Sequence, residues 1–248
     1  LKDGGAPWRR VAFYWQSSGL LPAMAFKSGA TDCNYAAMSL SYPGLGCRGF
    51  IIDNPWSAAF ISWVMQRAGV PGFQDSPSHF DYVRAARKNA NSPYRYLSPS
   101  GSSVQPGDML CYVRTKAIFG YEGLTKRIDA GEAGLPMHCD IIVATDNGRA
   151  YAIGGNVQQA VTMRLLSLDA QGRLTGLLMR SAQDVPCSPD NEAGCNFNRQ
   201  DWAALLSLKP QDALAQIGPV VPPGMQRNPP VPETCCVNCV VGSGVPRC

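Results

Sequence analysis

Ser57 is placed where a hydroxyl could act as a nucleophile. It belongs to an apolar stretch from Asn54 to Gly69. This stretch is predicted to be a buried helix, because Asn54 suits an N-cap, Pro55 the first helical position and Gly69 a terminator. Ser57 then falls in the first turn, where free backbone N–H groups and the helix dipole stabilise an anionic oxygen. The alternative is an ordinary small polar residue at a helix start.

The choice of a general base is narrow, because His79 and His138 are the two histidines of the sequence. His138 precedes a predicted strand over 139–145 and follows an irregular loop, where a neutral imidazole could accept a proton from a hydroxyl. A hydrogen-bonded structural histidine at a strand end is the alternative. His79 is predicted to begin a helix with a capping box of Ser78 and Asp81, which favours a surface or supporting position.

A catalytic imidazole needs a polar neighbour that fixes its orientation, and two residues could serve. Asp140 lies two residues after His138 and therefore on the same face of the strand. Asn156 follows the next predicted strand. A three-residue turn at 146–148 would place it opposite His138, about 5 Å away. A two-residue turn would place Val157 there instead. The sequence favours the longer turn and leaves both Asn156 and Asp140 as candidates.

The elements expected to hold these residues form an α+β pattern, with helices first and antiparallel strands after them. Periodicity and turn signals predict helices at about 7–16, 54–69 and 78–89 and strands at 109–113, 139–145, 149–155, 160–166 and 174–181. Two segments, 17–50 and 114–137, have no clear periodicity and are interpreted as irregular. A short helix is predicted at 201–207.

Composition divides the chain into two parts. Residues 1–182 are predicted to form the α+β domain, and residues 183–248 a disulfide-rich extended appendage. Eight of the 20 prolines lie from Pro210 onward, so we expect neither a helix nor a central strand there.

The ten cysteines favour disulfides and an oxidising compartment. We expect bridges Cys33–Cys47 and Cys187–Cys195. A bridge between Cys111 and Cys139 is left open, as is the pairing of the four cysteines from 235 to 248. Zinc binding is the alternative for the knuckle-like spacing of Cys236 and Cys239, although no histidine lies near it.

Charge and hydropathy exclude two classes of partner. The net charge is +4, and no run of basic residues exceeds two, so a nucleic-acid interface is not expected. No apolar stretch approaches the roughly 20 residues that span a bilayer, so no transmembrane segment is expected.

Four stretches carry a resemblance to a known superfamily: Pro55–Trp63, Pro106–Leu110, His138–Val143 and Gly154–Val157. In this order they resemble the papain-like CHAP and NlpC-type amidohydrolases. They are most similar to a bacterial domain-of-unknown-function family, the one numbered 2272. The resemblance covers roughly residues 7–182.

The resemblance implies helices packed on a small antiparallel sheet or barrel and a peptidase or amidase that acts on peptidoglycan stem peptides or muropeptides. It implies a periplasmic or secreted protein that needs no cofactor and no metal. By position, Ser57 matches the superfamily's nucleophilic cysteine, His138 its base, and Asn156 its third polar residue, with Asp140 as the alternative.

Residues near the nucleophile are candidates for binding the substrate, namely Trp56, His79 and Tyr82. A protein partner could bind through the C-terminal appendage.

The serine at position 57 departs from the superfamily, whose usual nucleophile is cysteine. A serine hydroxyl is far less acidic than a thiol and needs a base during attack. We favour serine as the natural nucleophile of this branch. The alternatives are an engineered Cys→Ser change and an inactive domain that binds the cell wall or a partner protein. A secreted effector against a competitor's wall would use the same chemistry as a housekeeping enzyme.

Overall fold

The computed structural model of the chain describes residues 6–39 and 41–217. This part contains helices α1 to α7: Pro7–Ser17, Asp32–Met38, Leu45–Asp53, Ser57–Arg67, His79–Lys88, Gly120–Asp129 and Gln211–Ile217. Its strands β1 to β7 are Tyr94–Leu97, Met109–Val113, Met137–Asp146, Arg149–Val157, Ala160–Leu168, Leu174–Thr175 and Asp201–Leu208. No helix in these ranges is long and apolar enough to cross a membrane.

The strands form one antiparallel sheet in the order β1-β7-β2-β3-β4-β5-β6. The sheet curls into a half-barrel, and the prediction of a mixed α+β fold is confirmed. One face packs against the helices through a core that includes Trp15, Phe60 and Phe80. The other face buries a smaller cluster around Leu110, Ile142 and Trp202. Strands buried on both faces read as continuous apolar runs, as β2 does.

The start of α4 differs from the prediction. Asn54 was expected to cap this helix, but it ends α3, and its side-chain amide donates to the Phe50 carbonyl at 2.9 Å. Trp56 occupies the N-cap position and Ser57 is the first helical residue. Gly69 terminates the helix with φ of +65°, as predicted. The Asn54 side chain bonds to a carbonyl of the preceding helix and therefore does not cap α4. The sequence pattern did not predict this bond.

The predicted capping box of α5 is wrong, although the helix begins one residue after Ser78 as expected. Ser78 makes no side-chain capping bond. Instead Ser76 accepts the Ser78 backbone N–H at 3.0 Å and donates to the Asp81 carboxylate at 2.6 Å. A serine two positions earlier therefore fixes the first turn of α5.

Two segments interpreted as irregular contain helices. α2 lies within 17–50, α3 begins there and runs on to Asp53, and the confirmed Cys33–Cys47 bridge joins the two helices. α6 lies within 114–137 and begins where the Asp201 carboxylate accepts the backbone N–H groups of Phe119 and Gly120, each at 2.8 Å. These helices have seven to ten residues and depend on distant partners, so their local patterns are weak.

The segment 201–207 was predicted to be a helix, and this is wrong: residues Asp201–Leu208 form β7 between β1 and β2. A short apolar run buried on both faces cannot be told from a buried helix by periodicity. The compact unit consequently extends past the predicted boundary at 182. α7 follows Pro210, where no helix was expected, and the predicted strand 174–181 is reduced to β6.

The β3–β4 turn has two residues, not the three that were expected. Asp146 pairs with Arg149, and Asn147 and Gly148 both have positive φ, of +48° and +71°, as in a type I′ turn. A bulge between Ile142 and Ala144 then shifts the register by one residue, so that Ile141 faces Ile153. The register expected for the longer turn is thus reached through a bulge.

Three disulfides are present among the described residues. Cys33–Cys47 and Cys187–Cys195 confirm the predicted pairs, and Cys111–Cys139 links directly opposite residues of β2 and β3. The four cysteines from 235 to 248, and the zinc alternative for two of them, lie outside the described residues.

Candidate active site

Ser57 lies at the N-terminus of α4 with 3% of its surface exposed. The first helical hydrogen bond of α4 runs from the Phe60 N–H to the Trp56 carbonyl at 3.0 Å. The N–H groups of Ser57, Ala58 and Ala59 precede that bond, so none of them has an acceptor within the helix. These donors, together with the positive end of the helix dipole, lie beside the Ser57 hydroxyl.

His79 is the hydrogen-bond partner of Ser57. Its Nε2 lies 2.7 Å from the Ser57 Oγ, and the residue is 4% exposed. The surface position that the sequence suggested for His79 is therefore wrong. The first turn of α5, fixed by Ser76, carries the imidazole to the mouth of α4.

Tyr82 contacts the other nitrogen of the His79 ring. It lies one turn further along α5, and its hydroxyl makes a hydrogen bond with His79 Nδ1. Burial raises the pKa of Tyr82 well above its ordinary value, so the phenol is neutral at pH 7. If the phenol oxygen accepts the Nδ1–H of His79, Nε2 carries a free lone pair directed at Ser57.

Burial also determines the charge of His79. It lowers the pKa of the imidazole well below 6.5, and the charges of His138 and Arg114 lower it further. His79 is therefore neutral at pH 7, which is the form that can accept a proton.

His138 belongs to a buried network on β3 and β5. Its Nε2 lies 2.9 Å from Asp140 Oδ1, and the Arg164 guanidinium donates to Asp140 Oδ2 at 2.8 Å. Arg164 also donates to the Tyr112 hydroxyl at 3.1 Å. Burial alone would raise the pKa of Asp140, but the bonds and charges of His138 and Arg164 hold it below its usual value. Asp140 is thus a buried, paired carboxylate.

The two histidines lie side by side. Their ring centroids are 5.1 Å apart, with an angle of 47° between the planes. The structure brings Ser57, His79, His138 and Asp140 into one region, and the group that bonds to Ser57 is His79.

Asn156 makes no hydrogen bond to His138. It has φ of +58°, and its buried side-chain oxygen has no hydrogen-bond partner among the described residues. The residue of β4 that lies against His138 is Gly154, and its lack of a side chain leaves room for the imidazole. A Cβ built on Gly154 would lie 1.8 Å from Asp140 Oδ1 and 2.7 Å from His138 Nε2.

A cleft of about 390 Å³ opens next to Ser57 and His79. Its other lining residues are Trp15, Met24, Asn54, Pro55, Pro77, Ser78, Arg114, Leu135, Pro136 and Met137. Trp56, expected near the substrate, does not line it. It is buried against Tyr14, with ring centroids 6.0 Å apart, and lines a separate groove.

The sequence interpretation missed three residues of this region: Tyr112, Arg114 and Arg164. Arg164 carried a signal, since it alternates with Leu166 on the inward face of β5, where an arginine requires a buried partner. In the described part of the chain, no group of three or more His, Cys, Asp or Glu side chains is placed to hold a metal ion.

Comparison with known proteins gives a family. A search of curated proteins and a search of solved structures each found no match. A family model described as an uncharacterized protein conserved in bacteria, DUF2272, matches residues 2–208. This match covers the described helices α1 to α6 and all seven strands, and the chain therefore belongs to the DUF2272 family.

Proposed function

We propose that the chain is a serine hydrolase that cleaves an amide bond of peptidoglycan, in a stem peptide or at its link to the glycan. The observation that carries the proposal is the 2.7 Å contact between Ser57 Oγ and His79 Nε2 beside an open cleft. A nucleophile, a neutral base and an orienting hydroxyl follow one another through hydrogen bonds, as hydrolytic triads require.

In the first step, the Ser57 oxygen attacks the amide carbonyl while its proton passes to His79 Nε2. The carbonyl π electrons move to oxygen, and N–H groups at the start of α4 stabilise that oxyanion. Tyr82 keeps the imidazole oriented through Nδ1. The tetrahedral intermediate then collapses, the C–N bond breaks, and His79 returns the proton to the leaving amine.

In the second step, water hydrolyses the acyl-enzyme. His79 takes a proton from the water as its oxygen attacks the ester carbonyl. The same proton returns to Ser57 Oγ when the C–O bond breaks, which regenerates the free enzyme.

This assignment moves the base from His138, the residue the papain-like resemblance implies, to His79. The reason is contact: His79 bonds to Ser57, while His138 bonds to Asp140. His138 remains a neighbour whose charge lowers the pKa of His79. Asp140 orients His138, a role that Asn156 was also expected to fill.

The substrate class rests on the resemblance to CHAP and NlpC-type enzymes. The three disulfides fit a periplasmic or secreted protein, since such bonds persist in oxidising compartments. Peptidoglycan is accessible there.

Digestion of purified muropeptides tests the proposal. We expect the wild-type protein to release products that mass spectrometry identifies, and Ser57→Ala to lose activity by about 10³-fold or more. A fluorophosphonate probe should label Ser57 in the wild type, because the probe requires an activated serine. Ser57→Cys should transfer reactivity to thiol alkylation.

Ser167→Ala is the control. Ser167 is an exposed serine of β5 that does not line the cleft, so its removal should preserve cleavage. Equal activity in wild type and Ser57→Ala would exclude Ser57 as the nucleophile. Retention on sacculi without released fragments, and without probe labelling, would support the inactive binding domain instead.

A further inference from the structure

Arg114 is the arginine among the lining residues of the cleft. It follows the last residue of β2, is exposed, and lines the cleft together with Ser57 and His79. Its backbone is anchored, because its N–H donates to the Pro136 carbonyl at 2.8 Å. The guanidinium therefore projects from a fixed strand end rather than from a free loop.

The charge of Arg114 has no partner in the described part of the chain. Among residues 6–39 and 41–217, its guanidinium makes no hydrogen bond or ion pair. By contrast, Arg84, Arg87 and Arg164 each contact a carboxylate. Arginine is favoured where a planar carboxylate is bound through two parallel hydrogen bonds.

The walls of the cleft strengthen any interaction with Arg114. Most of the lining is apolar, and no aspartate or glutamate is among the lining residues. A second donor is also without an acceptor: Trp15 lines the cleft, is 1% exposed, and its indole N–H has no partner in the described part of the chain. A positive cleft with spare donors and no acidic residue is complementary to an anionic, acceptor-rich group.

Resting on the proposed function, we infer that Arg114 binds a free carboxylate of the substrate beside the scissile bond. The substrates of this site are then peptide amides that carry a carboxylate near the cleaved carbonyl. Conversion of that carboxylate to a carboxamide removes the charge-assisted bond. Arg114 is thus a specificity residue that separates acidic from amidated peptides.

Binding to the Ser57→Ala protein tests this inference without any cleavage. Two labelled probes are compared by fluorescence anisotropy: a disaccharide tetrapeptide with free carboxylates and the same molecule with every carboxylate converted to a primary amide. We expect the acidic form to bind at least about tenfold more tightly. Adding Arg114→Gln should remove the difference by weakening the acidic form alone, and Arg114→Lys should keep part of it.

Arg149→Gln is the matched control, because Arg149 is an exposed arginine at the far turn of β4 and does not line the cleft. It should leave the preference unchanged. The inference is overturned if both probes bind equally, if neither binds, or if the difference survives Arg114→Gln. A preserved difference together with no cleavage by the wild type would reject the proposed hydrolysis alone.

Discussion

Burial decides whether a single residue, His79, can act as a base. Its imidazole is 4% exposed and lies against Ser57, Tyr82 and His138. A charged ring there would lose hydration, so its pKa lies well below 6.5. The same burial that keeps the base neutral at pH 7 makes folding sensitive to acid.

The sign of this effect follows from proton counting. The unfolded chain binds a proton at His79 near pH 6.5, whereas the folded chain binds it only at lower pH. Between those values the unfolded state holds more protons, so the free energy of unfolding falls as the pH falls below about 6.5. Asp108 acts in the opposite direction, because burial raises its pKa to about 6.

A comparison with His79→Gln isolates the contribution of His79, since Asp108 is common to both proteins. We expect the wild type to lose more stability than the variant between pH 7.5 and 5.0, by up to about 2 kcal/mol. Urea unfolding at the two pH values measures it. Parallel losses in both proteins would contradict a buried neutral His79.

At the scale of the element, the sequence predicted the helices and strands that depend on local patterns. α1, α4 and α5 were expected from helical periodicity and end signals, and β2 to β5 from short apolar runs between turns. β7 was not, because its environment is set by β1 and β2, which lie far away in the sequence. The same limit applies to the candidate site. Ser57, His138 and Asp140 could be named from motifs, but contacts between residues distant in the sequence could not be predicted.

The Ser57–His79 pairing was missed for a related reason. Ser57 and His79 begin different helices, and the loop between them determines how these helices meet. The local pattern of neither helix predicts the distance between Ser57 and His79. The sequence also left both candidate orienting residues open, and the contacts of Asp140 with His138 and Arg164 separate it from Asn156.

The packing of β4 against β3 depends on Gly154. An added methyl group there would meet the Asp140 carboxylate and the His138 ring, so Gly154→Ala must displace the strand or break the buried pair. We expect a loss of about 1–3 kcal/mol in the free energy of unfolding, as for other overpacked cores. Chemical denaturation measures it.

Gly49→Ala is the control for this prediction. Gly49 lies within α3, and a Cβ built on it contacts nothing within 4 Å. Alanine should stabilise that helix by about 0.5–1 kcal/mol. If Gly154→Ala were equally harmless, the close contact with Asp140 and His138 would not exist.

At the scale of the whole molecule, β7 joins parts of the chain that are distant in sequence. It pairs with β1 on one side and β2 on the other. Its first residue, Asp201, caps α6, and the Leu208 N–H at its end donates to Asp108 at 2.8 Å. Trp202 is almost completely buried in the second core. The strand is therefore required by both faces of the sheet.

Truncation tests the dependence of the fold on this strand. A chain that ends at residue 217 retains every described element and should unfold in one cooperative transition with a near-UV circular dichroism signal. A chain that ends at residue 182 loses β7 from the middle of the sheet, which leaves β1 without the strand it pairs with and exposes the second core. We expect it to lack a cooperative transition and to bind a hydrophobic dye. A cooperative melt of the shorter chain, with the same near-UV spectrum, would show that residues 1–182 fold alone and that β7 is dispensable.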